Sequence, residues 1–112
     1  MSRITTHVLD ISIGKPAGGV LVTLDRQTED GYWETLGSQN TDSDGRARDL
    51  LPEALIAAGH RLTFEVGPYF ERNKVDGFYQ EVAIAFTVND ASQHYHVPLL
   101  LSPFGYSTYR GS

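Results

Sequence analysis

Two histidines, His94 and His96, stand two residues apart in a stretch whose large apolar residues alternate: Tyr95, Val97, Leu99 and Leu101. Such alternation marks a strand with one buried face. With the apolar set toward the core, His94, His96 and Pro98 point away from it. An earlier run, Ile4 to Leu9, puts Ile4 and Val8 on the core side and turns His7 outward. An imidazole titrates near neutral pH, so a histidine on an open sheet face is suited to taking and returning a proton. His7 and His96 share a site if their strands are neighbours in one sheet. The rival chemistry is metal binding, because His7, His94 and His96 supply the three imidazoles of a catalytic zinc centre. A bare His-x-His is a weak ligand signal, however, and no Asp or Glu joins the histidines on that face. As solvent-exposed strand residues they would need no chemistry at all.

Other polar residues say less. His60 follows Gly59 and is read as a loop residue without a chemical role. Asp44-Gly45-Arg46 alone is a turn followed by a solvated arginine. The glycines near Gly18 lack a phosphate-loop pattern and are read as a turn. The stretch from His94 to Ser112 reads as a strand, a Ser-Pro turn and a short strand, patterned up to Tyr109-Arg110-Gly111-Ser112. In its last strand Ser107 and Tyr109 share one parity, Tyr106 and Thr108 the other. Domains commonly end in a frayed polar tail. A patterned ending predicts that these last residues are used.

The elements that would hold these side chains are strands. Val20, Val22 and Leu24 alternate, as do Phe64 with Val66, and Val82, Ile84, Phe86 and Val88. Gly14 to Gly19, Asp30-Gly31, Asp42 to Gly45 and Asn89-Asp90 punctuate the runs as turns, with Asp30-Gly31 closing a hairpin. Short strands at this spacing predict an all-β antiparallel sandwich or barrel. Two stretches read as helical. Pro52 to Gly59 has Pro near its start, alanines inside and Gly at its end. Pro68 to Val75 offers one or two turns.

The 112 residues suffice for a single domain, 1–112. A hydrophobic content of 40% fits a folded chain. No apolar run approaches the ~18 residues of a membrane span, so no membrane partner is expected. The net charge is −5 and the nine basic residues form no stripe, which argues against nucleic acid. Cysteine is absent, which excludes disulfides and thiolate chemistry. The first seven residues lack a signal peptide's apolar stretch and the last three are not Ser-Lys-Leu, so a cytoplasmic location is expected.

Three stretches together resemble the transthyretin-like 5-hydroxyisourate hydrolases: Ile4-Thr-Thr-His-Val-Leu-Asp10, Thr41-Asp-Ser-Asp-Gly-Arg46, and His94 to Ser112. The resemblance runs nearly end to end. The final Tyr109-Arg110-Gly111-Ser112 separates such hydrolases from hormone-carrying transthyretins. Gln80 departs from the pattern, where proline is expected. The resemblance implies a two-sheet Greek-key sandwich of about eight strands with a short helix. It implies a homotetramer, a dimer of dimers, with active sites in a central channel between facing subunits. The substrate would be 5-hydroxyisourate, a purine derivative, opened to 2-oxo-4-hydroxy-4-carboxy-5-ureidoimidazoline. His7, Arg46, His96 and Ser112 would be catalytic, and Ser107, Tyr109, Arg110 and Gly111 would contact substrate or line the channel. No metal or other cofactor would be needed. A carrier of small apolar ligands and a metal-dependent hydrolase remain the alternatives.

Overall fold

The computed structural model describes residues 3–112. Its alternating runs form two sheets. One contains β1 (Ile4–Asp10), β2 (Lys15–Pro16), β5 (Arg46–Ala47), β8 (Tyr95–His96), β9 (Leu99–Ser102) and β10 (Gly105–Thr108). Its main path runs β10-β9-β1-β2, with β5 and β8 also pairing to β1. The other sheet is β4-β3-β6-β7, from β3 (Leu21–Gln27), β4 (Trp33–Asn40), β6 (Ala58–Phe64) and β7 (Val82–Val88). Ten segments replace the eight strands expected, three of them only two residues long. The second sheet is antiparallel throughout, but β1 runs parallel to β8 and β9, a mixed pairing that strand alternation cannot reveal.

The core lies between the sheets. Ile4 and Val8 of β1, Val22 and Leu24 of β3, Leu62 and Phe64 of β6, and Leu99 and Leu101 of β9 are fully buried. Each such side chain contributes about 1.5–3 kcal/mol relative to exposure. This packing holds the parity of β1 and β9, and therefore decides which side chains face outward.

The helix falls on the second candidate stretch. α1 (Val66–Arg72) buries Val66, Tyr69 and Phe70, the i, i+3, i+4 stripe of an amphipathic turn. Pro52–Gly59 is not helical. Ala58 and Gly59 are drawn into β6 opposite Val88 and Thr87, while buried Leu50 and Leu55 pin the preceding chain to the core. The few residues left between cannot offset the cost of starting a helix. His60 is likewise not in a loop. It sits inside β6, fully buried, hydrogen-bonded through Nδ1 to the Ala58 carbonyl at 3.0 Å and stacked near Phe86.

Asp10 ties α1 to β1. The Tyr69 hydroxyl donates to its carboxylate at 2.8 Å, and burial together with this acidic neighbour pushes the Tyr69 pKa up to about 12. The last residue of the Ile4–Asp10 motif is thus an anchor.

Pro98 keeps the outward parity of His96 and Leu100, yet it is buried. Pairing to β1 lapses at Val97 and Pro98, then resumes with Leu99 opposite Val8, in the register that sets Tyr95 opposite Ile4. No bulge is needed. Tyr95 and Val97 donate their N–H groups to Arg3 and Thr5 carbonyls, so donors toward β1 come from odd positions. A proline at position 98 removes none of them.

Candidate active site

The outer face of the β1 sheet carries the site. With Ile4, Thr6, Val8 and Asp10 buried, Thr5, His7 and Leu9 share the opposite face. Thr5 pairs with His96 of β8 on one side. His7 pairs with Arg46 of β5 on the other. Strands distant in sequence therefore place His96, Thr5, His7 and Arg46 on one surface. Further along, Leu9, Leu100 and Ser107 align across β1, β9 and β10, which puts Ser107 on that face but outside the histidine pocket.

Arg46 is delivered by the Asp42–Gly45 turn. The Asp42 carboxylate accepts the N–H groups of Asp44 and Arg46 at 2.9 and 3.0 Å. The Arg46 N–H holds the Asp42 carboxyl below its ordinary range and so keeps it an acceptor. Gly45 has φ +76, and a Cβ there would collide with the Val8 carbonyl. A side chain at position 45 would push the turn, and Arg46 with it, away from β1.

Thr5 joins the two histidines of β8 and the residue before it. Its Oγ1 lies 2.9 Å from His96 Nδ1 and 3.2 Å from His94 Nε2. His94 thus belongs to the cluster, and Thr5, which sequence patterning did not single out, stands at its centre. The available signal was the parity Thr5 shares with His7. Arg46, Arg48 and Arg3 meet His94, His96 and Ser112 around a pocket of about 270 Å³. Arg3 and Arg48 were also missed; Arg48 shares the parity of Arg46. Among the described residues the ion pairs are Arg26 with Glu34 and Glu53, and Arg61 with Asp25, so none involves these three arginines. A chain of net charge −5 therefore presents a basic pocket.

The His96 pKa is lowered, first by burial and then by the positive charge of Arg46, with His7 and His94 adding to it. A backbone hydrogen bond with Thr5 opposes these effects. The balance favours the neutral imidazole, which can accept a proton. His7 does not line the pocket but is near enough to act on His96 electrostatically.

The last four residues are tied to β8. The Arg110 guanidinium lies 4.4 Å from the Tyr95 ring centroid and donates to Gln93 Oε1 at 3.0 Å and to the His94 carbonyl at 3.4 Å. The Gly111 N–H donates to the His96 carbonyl at 2.8 Å. A Cβ at position 111 would lie 2.7 Å from His96 Cδ2, so only glycine lets the chain pass this close to the ring. Ser112 then enters the basic pocket. Tyr109 and Arg110 instead line a second groove, of about 430 Å³, against β7. Within one chain neither side chain lines the histidine pocket.

The family model described as HIUase/Transthyretin family matches residues 4–111. The chain belongs to this family. A 5-hydroxyisourate hydrolase of Salmonella dublin is 47% identical over 110 residues, covering 97% of this chain and 80% of that protein. The 5-hydroxyisourate hydrolase of Caulobacter vibrioides is 47% identical over 117 residues, with both chains fully covered. Among solved structures, the 5-hydroxyisourate hydrolase of Klebsiella pneumoniae superimposes with a TM-score of 0.87 at 39% identity over the whole of both chains. Sea bream transthyretin in complex with thyroxine superimposes with a TM-score of 0.91 at 29% identity, covering 97% of this chain and 94% of that one. The transthyretin-like all-β sandwich is thus the fold of this family member. Backbone likeness does not separate hydrolase from carrier, so side chains must.

Proposed function

We propose that this protein is a 5-hydroxyisourate hydrolase that opens the six-membered ring of its substrate to give 2-oxo-4-hydroxy-4-carboxy-5-ureidoimidazoline. The observation carrying this reading is the alignment of His96, Thr5, His7 and Arg46 across three neighbouring strands on one outer face. Relatives sharing nearly half their residues with this chain bear the hydrolase name.

The reaction needs a nucleophilic water, a place for charge on the attacked carbonyl oxygen, and a proton for the leaving nitrogen. His7 and His96 position water and take its proton as the oxygen adds to the carbonyl carbon. The C–N bond then breaks, and the proton passes to the departing nitrogen. Arg46 stays charged and offers paired donors, so it orients the planar substrate and stabilises the oxyanion. The Ser112 hydroxyl supplies a further hydrogen bond from inside the pocket. Gly111 lets the chain approach His96. Ser107, Tyr109 and Arg110 complete the walls once subunits associate.

No metal is required in this scheme. His94 and His96 each direct a ring nitrogen at Thr5, which is poor geometry for ligands converging on one ion. Generating 5-hydroxyisourate from urate in situ and following its ultraviolet decay tests the assignment. Added protein should speed the decay with chelator present. No acceleration by the protein would sink the hydrolase reading. Loss with chelator and recovery with zinc would replace the scheme with a metal-dependent one.

The active unit is proposed to be a homotetramer, two dimers with sites between facing subunits. Leu9 and Leu100 on the histidine face are only partly buried within one chain, and a facing copy would cover them. Sedimentation at micromolar protein should give a tetrameric mass; a monomer would remove the shared site. The carrier reading draws on the likeness to the thyroxine-bound transthyretin. Three arginines and two histidines around the pocket disfavour an apolar ligand.

A further inference from the structure

Thr5 has one hydroxyl hydrogen and two imidazole neighbours. Its Oγ1 can donate to at most one ring nitrogen, so at least one ring must donate to it if both contacts are hydrogen bonds. Two proton arrangements use the hydroxyl hydrogen within the cluster. In one, Thr5 donates to His96 Nδ1 and accepts from His94 Nε2–H, so a neutral His96 carries its proton on Nε2. In the other, His96 Nδ1–H donates to Thr5, and Thr5 donates onward to His94 Nε2. His96 Nε2 is then left with its lone pair.

We propose that Thr5 is a positioning residue that holds His96 in the Nδ1–H tautomer and leaves Nε2 as the proton acceptor of the site. His94 completes the device by accepting the Thr5 hydrogen and directing it away from His96. This inference deepens the proposed hydrolysis and rests on it for its catalytic meaning.

The backbone of Thr5 selects between the two arrangements. Its hydrogen bond with His96 favours the protonated ring, as a ring N–H donating to the Thr5 carbonyl does, and the nitrogen turned to Thr5 is Nδ1, 2.9 Å from Oγ1. Thr5 is 7% exposed, so little water competes for its hydroxyl. Arg46 shares the pocket with His96 and acts on it with positive charge, which disfavours a second proton on the ring but does not remove the lone pair of a neutral one. Gly111 passes beside the Cδ2 edge of the ring, next to Nε2, where a side chain would meet it.

The test compares Thr5→Val, which keeps the shape and removes the hydroxyl, with Thr5→Ser, which keeps the hydroxyl. Ring nitrogen-15 shifts of histidine-labelled protein, assigned through His96→Gln, report the tautomer without substrate. The unmodified protein should show His96 as Nδ1–H above its titration. Thr5→Val should give a mixture of tautomers and a kcat lower by roughly tenfold to a hundredfold, the scale of losing a partner that orients a functional histidine. KM should hardly move, and Thr5→Ser should recover most of the lost kcat. An Nε2–H tautomer in the unmodified protein overturns the inference. So does an unchanged tautomer in Thr5→Val, or a Thr5→Ser variant as slow as Thr5→Val. If the unmodified protein fails to hydrolyse 5-hydroxyisourate, the proposed function falls, while the nitrogen shifts still decide what Thr5 does to His96.

Discussion

His96→Ala should lower the rate of 5-hydroxyisourate hydrolysis by roughly a hundredfold or more, the scale of a lost general acid–base group. His7→Ala should fall in the same range. The variants should remain folded, because both rings lie on the outer face and neither belongs to the buried core. Replacing His94 should cost much less, since it touches His96 only through Thr5. Replacing His60 should spare the chemistry and lower thermal stability instead, because its ring fills the core beside Phe86. The pH profile supplies an independent readout. Burial and Arg46 depress the His96 pKa, so the protonated, inactive form accumulates only below the ordinary histidine value of about 6.5. The acid limb of kcat should therefore lie below that value. A larger loss at His94 than at His96 would mean that the wrong member of the pair has been given the chemistry.

Ending the chain at Thr108 should leave a folded, soluble protein that has lost most of its hydrolytic activity. The fully buried core residues all precede position 102, and Thr108 still hydrogen-bonds the Pro98 carbonyl. What leaves is functional. Ser112 vacates the basic pocket, Gly111 no longer bonds the His96 carbonyl, and Arg110 releases the Tyr95 ring and the His94 carbonyl. The segment bearing both histidines thus loses its outer brace together with a pocket wall. Activity assays alongside a melting curve separate the outcomes. Full activity in the truncated protein ends the case for the last four residues, and an unfolded product makes them structural.

Much of this was legible along the chain. Alternation identified the strands and told which parity of each faces the core, because a sheet with one buried face sorts its residues by twos. That sufficed to turn His7 and His96 outward. The Ile4–Asp10, Thr41–Arg46 and His94–Ser112 stretches carried the family resemblance, and the family model covering residues 4–111 agrees with it. Glycine and aspartate turns marked the hairpin after Gln27 and the bend before Arg46.

Helix and strand were confused where apolar runs are short. Pro52–Gly59 has helical composition, yet its last two residues complete a β6 ladder whose partners lie in β3 and β7. Long-range pairing overrode local propensity there and buried His60 with it. Periodicity states which face a side chain occupies but not which strand lies next to it. Setting Thr5 beside His96 requires a parallel pairing across some ninety residues, and setting Arg46 beside His7 requires an antiparallel one across about forty. Only the closed core decides those neighbours, since a slip of one residue would turn every apolar side chain of β1 to the wrong face. The sequence alone therefore determined the fold class, the outward histidines and the family. The tertiary structure decided that one threonine hydroxyl lies between two imidazoles, and that scattered arginines of an acidic chain meet in one pocket.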